Sequence, residues 1–141
     1  MDKKQFHERI QYFVKQRVRD EGTINSMMDM ELVTADFHTK SVVLAFPVKD
    51  WQMNPAENLH GGIIATALDI TMGCISYVSG NAVFTPTIQM AVNYVGGVSS
   101  GDSCWWKEFV IMQEAECHRP ELLHAQRKAA RWSQQRMVPI L

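Results

Sequence analysis

Phe6, Ile10, Phe13, Val14 and Val18 recur three and four positions apart, with Lys, Glu, Arg and Gln between them. This spacing predicts an amphipathic helix over about residues 3–18, ended by Glu21-Gly22. From Met28 to Phe46 the period changes to alternation. Met28, Met30 and Leu32, then Val42, Leu44 and Phe46, fall on one side, and "ADFHTK" joins the two runs as the turn of a β-hairpin. "PVKDWQMNPAEN" carries two prolines and several turn formers, so it reads as a loop that delivers the chain to His60.

A second helix is predicted from Gly61 to about residue 76. Ile63, Ile64, Ala67, Leu68, Met72 and Ile75 make a wide apolar stripe, and Ala65, Thr66, Thr71 and Gly73 keep the other faces slim. Such a helix is built to be surrounded. Beyond it, "TPTIQMAVNYVGG" alternates Ile88, Met90, Val92 and Tyr94 against Gln89, Ala91 and Asn93, the pattern of a long strand closed by Gly96-Gly97. A buried helix that follows two strands and precedes another must lie across the sheet, which makes the class α+β.

With 141 residues the chain has the size of one domain. Lys and Arg (14) nearly cancel Asp and Glu (15), and no basic stripe studded with aromatics is present, so nothing points to nucleic acid. The N-terminal stretch lacks the apolar segment of a signal peptide, and no 18-residue apolar stretch is read anywhere in the chain, so a cytoplasmic protein is the expectation. Cys74, Cys104 and Cys117 form no C-x-x-C pair and read as free thiols, with Cys74 a small core residue. His7 and His38, among polar neighbours, read as solvated surface side chains.

The chemistry concentrates in "NLHGGIIATALDITMG". A helix N-terminus presents unpaired N–H groups and partial positive charge, and glycines there let a ligand approach the backbone. "HGG" at that point reads either as an oxyanion hole with a histidine beside it or as a capping turn in which the glycines only make the bend. Asp69, in the apolar run, reads either as a solvated aspartate or as a buried catalytic carboxylate. It follows His60 by nine residues, about 13 Å along a helix axis, too far for both to act on one atom within a single chain. Two such helices packed antiparallel across a two-fold axis would bring them together, so the composition asks for a dimer.

The run "NPAENLHGGIIATALD", with "TPTIQMAVNYV" and "GD" at Gly101-Asp102 after it, resembles the hotdog-fold acyl-CoA thioesterases of the PaaI-like, phenylacetate-pathway group over about residues 24–103. The resemblance implies a hotdog fold, a curved antiparallel sheet wrapped around a long central helix. It implies an acyl-CoA substrate, a homodimer or a tetramer of dimers, and no metal or other cofactor. Carried over residue by residue, the Gly61 N–H would polarise the thioester carbonyl, with Gly62 beside it in the substrate site. His60 and Asn54 would position the thioester and hold the loop. Asp69 of the partner subunit would be the nucleophile or the general base, and Thr87 would orient water.

After Ser103 the resemblance stops. "CWWKEFVIMQEAECHRPELLHAQRKAARWSQQRMVPIL" has no family counterpart, and Pro120 followed by strong helix formers favours a helix over about 120–135. Codons can be chosen for "ARWSQQRMVPI" so that the frame one base earlier reads Gln-Met-Val-Ala-Thr-Ala-Asn-Gly-Thr-Tyr-Ile, which is similar to the family's last strand. Residues 104–141 therefore read either as translated out of the ancestral frame or as a divergent, in-frame C-terminal helix. The altered tail also motivates a rival reading, a non-catalytic acyl- or CoA-binding module or an inactive remnant.

Overall fold

The structure is a computed structural model and describes residues 1–80, 82, 84, 86–94 and 96–98. The tail, with its expected helix at 120–135, and the Gly101-Asp102 pair lie outside the described residues.

Helix α1 spans Lys3–Arg17. The Asp2 side chain accepts from Gln5 N (2.8 Å) while Gln5 Oε1 accepts from Asp2 N (3.1 Å), so two N–H groups at the helix start are satisfied reciprocally. Phe6, Ile10 and Phe13, the residues that set the helical spacing, are its buried residues. His7 departs from its sequence reading. Its Nδ1 lies 2.8 Å from Lys3 O and its Nε2 lies 3.1 Å from Ala35 O, so the half-buried ring links α1 to the next strand.

The hairpin starts later than the alternation indicates. Met28 belongs to a short helix, α2 (Ile24–Met28), capped by the Thr23 hydroxyl and ended by Asp29 in the left-handed region at φ 51°. Strand β1 (Glu31–Asp36) then pairs antiparallel with β2 (Ser41–Ala45). The register shifts between Leu32 and Thr34. That irregularity moves the inward position from Leu32 to Ala35 and leaves Val33 exposed, because one extra residue in a strand reverses its facing. All five residues of β2 are buried.

Helix α3 runs Gly61–Ser79, three residues beyond the sequence expectation, and ends at Gly80. Its Ala67, Ile70, Cys74, Ile75 and Val78 join Phe6, Ile10 and Phe13 of α1 and Val42, Leu44 and Phe46 in one core. Each large side chain buried in this way stabilises the fold by about 1.5–3 kcal/mol. By length and composition α3 would also qualify as a membrane-crossing helix, at 19 residues with mean hydropathy 1.4. This corrects the expectation of no such run: Ile, Leu, Val, Met, Cys and Ala keep the average high in spite of Asp69. Its apolar face is packed against α1 and β2, the arrangement of a core helix.

The long strand expected after α3 is not a strand in the structure. Residues 86–94 have no ladder partner among the described residues. A strand is a hydrogen-bonded relation, and no described segment pairs with this one. Met90 and Val92 are half-buried between exposed neighbours, so the alternation persists in weakened form.

Candidate active site

His60 is the N-cap of α3, in extended conformation. Its Nδ1 accepts from the Gly62 N–H at 3.0 Å, and its carbonyl accepts from Ile63 N (2.8 Å) and Ile64 N (3.2 Å). The capping reading of "HGG" therefore holds for His60 and Gly62. The Gly61 N–H is different: no acceptor among the described residues takes it. One donor at the positive end of the helix is left for a ligand.

The loop before it is closed by Asn54. Its Oδ1 accepts from Ala56 N (2.9 Å) and Asn58 N (3.1 Å), and its backbone N–H donates to Asn58 O at 2.8 Å. This Asx turn, with Glu57 at φ 58°, orients the chain toward His60. The His60 N–H is held in turn by Gln52 O at 2.9 Å. With the Asn54 oxygen spent on the loop, Nδ2 is the end of that side chain that no described residue engages.

Asp69 is half-buried two turns further along α3, and the Thr87 hydroxyl donates to its Oδ1. The two residues assigned to the acid end of the site are thus in contact within one chain. Gly61 and Asp69 are not. Eight residues of helix put their backbones about 12 Å apart, so the donor end and the acid end remain separate along a single α3.

The segment carrying Thr87 also supplies a residue that sequence reading did not assign to the site. The Tyr94 hydroxyl donates to Gly61 O at 3.0 Å. Thr87 beside Asp69 and Tyr94 beside Gly61 mean that the segment runs antiparallel to α3. They also explain why it is not one regular strand, since residues seven apart would face opposite sides of a sheet while both of these meet the same helix. Tyr94 was visible in the sequence only as one apolar position in an alternating run. Nothing local connects it to a glycine 33 residues earlier.

Beyond Tyr94 the chain returns to the loop. Val98 O accepts from Leu59 N at 2.7 Å, and Gly97 packs so closely that a Cβ there would lie 3.0 Å from Asn58 Oδ1. Among the described residues no group of His, Cys, Asp and Glu is arranged to hold a metal ion. Cys74 is fully buried, and burial pushes its thiol up to about 12, which suits the core role read from the sequence.

No protein-family model and no curated protein matches this sequence. Among solved structures it is similar to an X-ray structure of a protein from the thioesterase superfamily, with a TM-score of 0.55, 22% sequence identity and a match covering 67% of each chain. At this identity the likeness is one of fold, α+β with a helix packed on an antiparallel sheet, and the chemistry has to be argued from the residues.

Proposed function

We propose that this protein is a thioester hydrolase of the PaaI-like kind, with a hotdog fold, cleaving an acyl- or aryl-CoA to the free acid and CoA. The observation that carries the reading is the bond from Thr87 to Asp69, a residue of the helix at whose N-terminus the Gly61 N–H meets no acceptor among the described residues. A carboxylate held by a hydroxyl and a backbone donor at a helix start are the two parts that acyl transfer to water requires.

In the general-base form, the Asp69 carboxylate takes a proton from a water oriented by Thr87, and the hydroxide attacks the thioester carbon. The carbonyl electron pair moves to oxygen, where the Gly61 N–H stabilises it. Collapse breaks the carbon–sulfur bond, and the proton held by Asp69 passes to the CoA sulfur. In the nucleophilic form, Asp69 itself attacks, CoA leaves, and water then cleaves the mixed anhydride. Both forms use the same residues.

Because Gly61 and Asp69 lie about 12 Å apart on one helix, the complete site needs a homodimer, in which Asp69 of the partner subunit faces Gly61 and His60. Free-thiol release from a panel of aromatic and aliphatic acyl-CoA esters tests the reading. Turnover that is lost in Asp69→Asn supports it. Binding of the same esters by the unaltered protein with no turnover assigns the chain to the non-catalytic class instead.

A further inference from the structure

Gly61 is covered by a ring. A Cβ built on it would lie 3.3 Å from Tyr94 Cε1, 3.4 Å from Cζ and 3.6 Å from the hydroxyl oxygen. The same hydroxyl donates to Gly61 O at 3.0 Å. One aromatic side chain thus bonds the carbonyl of Gly61 and lies 3.3 Å from where a side chain on that residue would begin. Glycine is the most conformationally permissive residue, and at the first position of a helix its N–H takes no part in the helix ladder. That N–H lies in the His60–Gly61 peptide, whose carbonyl accepts from Ile63 N and Ile64 N, and its aim depends also on how the Gly61 backbone is held on its other side.

Two residues hold it. Before Gly61, His60 is pinned through its Nδ1 to the Gly62 N–H and through its N–H to Gln52 O. After it, Tyr94 is the restraint. A carbonyl oxygen has two lone pairs, so the Tyr94 bond is compatible with the helix ladder. The ring occupies the space into which Gly61 would otherwise rotate.

We propose that Tyr94 is a positioning residue that holds the Gly61 carbonyl in place and, through the backbone of that residue, steadies the Gly61 N–H toward the oxygen of a bound acyl group. Its catalytic consequence rests on the thioesterase reading. Its structural content does not. Misaiming a donor to a developing oxyanion lowers turnover more than substrate binding, because the charge that the donor meets is larger in the transition state.

The test uses the full chain with Tyr94→Phe, which keeps the ring and removes the hydroxyl, and Tyr94→Ala, which removes both. In Tyr94→Phe the Gly61 amide resonance is expected to move in a ¹⁵N-labelled sample. Turnover is expected to fall by roughly 10-fold with KM changed by less than about twofold. A ring that merely walls the pocket would instead leave Tyr94→Phe like the unaltered protein and raise KM in Tyr94→Ala. An unmoved amide, or unchanged turnover in Tyr94→Phe, overturns the proposal.

A second measurement does not depend on catalysis. Gly61→Ala is expected to be less favourable to the melting temperature in the unaltered background, where the new methyl meets the Tyr94 ring, than in the Tyr94→Ala background. It should be neutral or stabilising in the Tyr94→Ala background, since alanine is the better helix former. Equal effects in both backgrounds overturn the restraint. If the unaltered protein releases thiol from no ester, the thioesterase reading fails, and the amide shift and this pair of melting differences decide the Tyr94 restraint alone.

Discussion

The Thr87 hydroxyl donates to the Asp69 carboxylate across 18 residues of sequence, joining the segment that follows α3 to the middle of the helix itself. A hydroxyl in that place can hold the carboxylate in one rotamer and share a water with it. Asp69→Asn is expected to reduce thioester turnover by at least about 10³-fold, since the amide neither attacks nor accepts a proton. Thr87→Val should cost roughly 10- to 100-fold by losing orientation alone. Steady-state thiol release measures both. Turnover retained in Asp69→Asn would remove the residue from the mechanism.

The separation of Gly61 and Asp69 on one helix leads to a complementation experiment. Asp69→Asn and Gly61→Val are each expected to be inactive. Mixed in equal amounts after dissociation, half of the dimers carry one of each, and one of the two sites in such a dimer is intact. About a quarter of the unaltered activity should return. If each site were built from one chain, mixing would restore nothing.

Cys74 lies in the core between α1 and α3, and burial raises its thiol to about 12, so it stays neutral from pH 7 to 9. Native protein treated with a thiol reagent and mapped by mass spectrometry should show Cys74 unmodified. The same mapping in denaturant should show it modified. Rapid native labelling at this position would mean that the α1–α3 packing opens readily.

Asp36 closes the hairpin. Its Oδ1 accepts from His38 N at 2.7 Å and Thr39 N at 3.4 Å, and the His38 bond chiefly holds its carboxyl below the usual value of 3.8. A depressed carboxyl contributes stability that is present above the unfolded value and is lost as pH falls through the folded one. Asp36→Asn keeps an acceptor without the titration. Denaturant midpoints measured at pH 7 and below pH 3 should therefore converge slightly in the variant relative to the unaltered chain.

The gene itself tests the tail. We propose that the reading frame shifted near codon 103, in which case a neighbouring frame encodes an alternating strand ending in a Gly-Thr-like pattern. Restoring that frame should raise solubility, because a missing last strand leaves an unpaired sheet edge. Two shifted frames with no such pattern would leave residues 104–141 as an in-frame sequence of their own.

Local order was largely legible along the chain. The spacing of Phe6, Ile10 and Phe13 announces α1, and "HGG" followed by an apolar run announces the start of α3, because side-chain period and capping chemistry act over a few residues. Boundaries were less so. Met28 alternates with Met30 and Leu32 as a strand residue would, yet Thr23 caps a short helix that contains it, and the irregularity at Leu32/Thr34 reverses the facing of β1.

What only the tertiary structure decided is which distant residues meet. The sequence contains Asn54, His60, Gly61, Asp69 and Thr87 at telling intervals, but the capping bond from Gly62 to His60, a Gly61 N–H that no described residue accepts and the Thr87–Asp69 contact are outcomes of packing. Tyr94 shows the reason most plainly. Its alternation signals a side of a strand, whereas its bond to Gly61 depends on how the segment after α3 turns back along the helix. That path is set by the summed burial of many side chains and by no short run of residues.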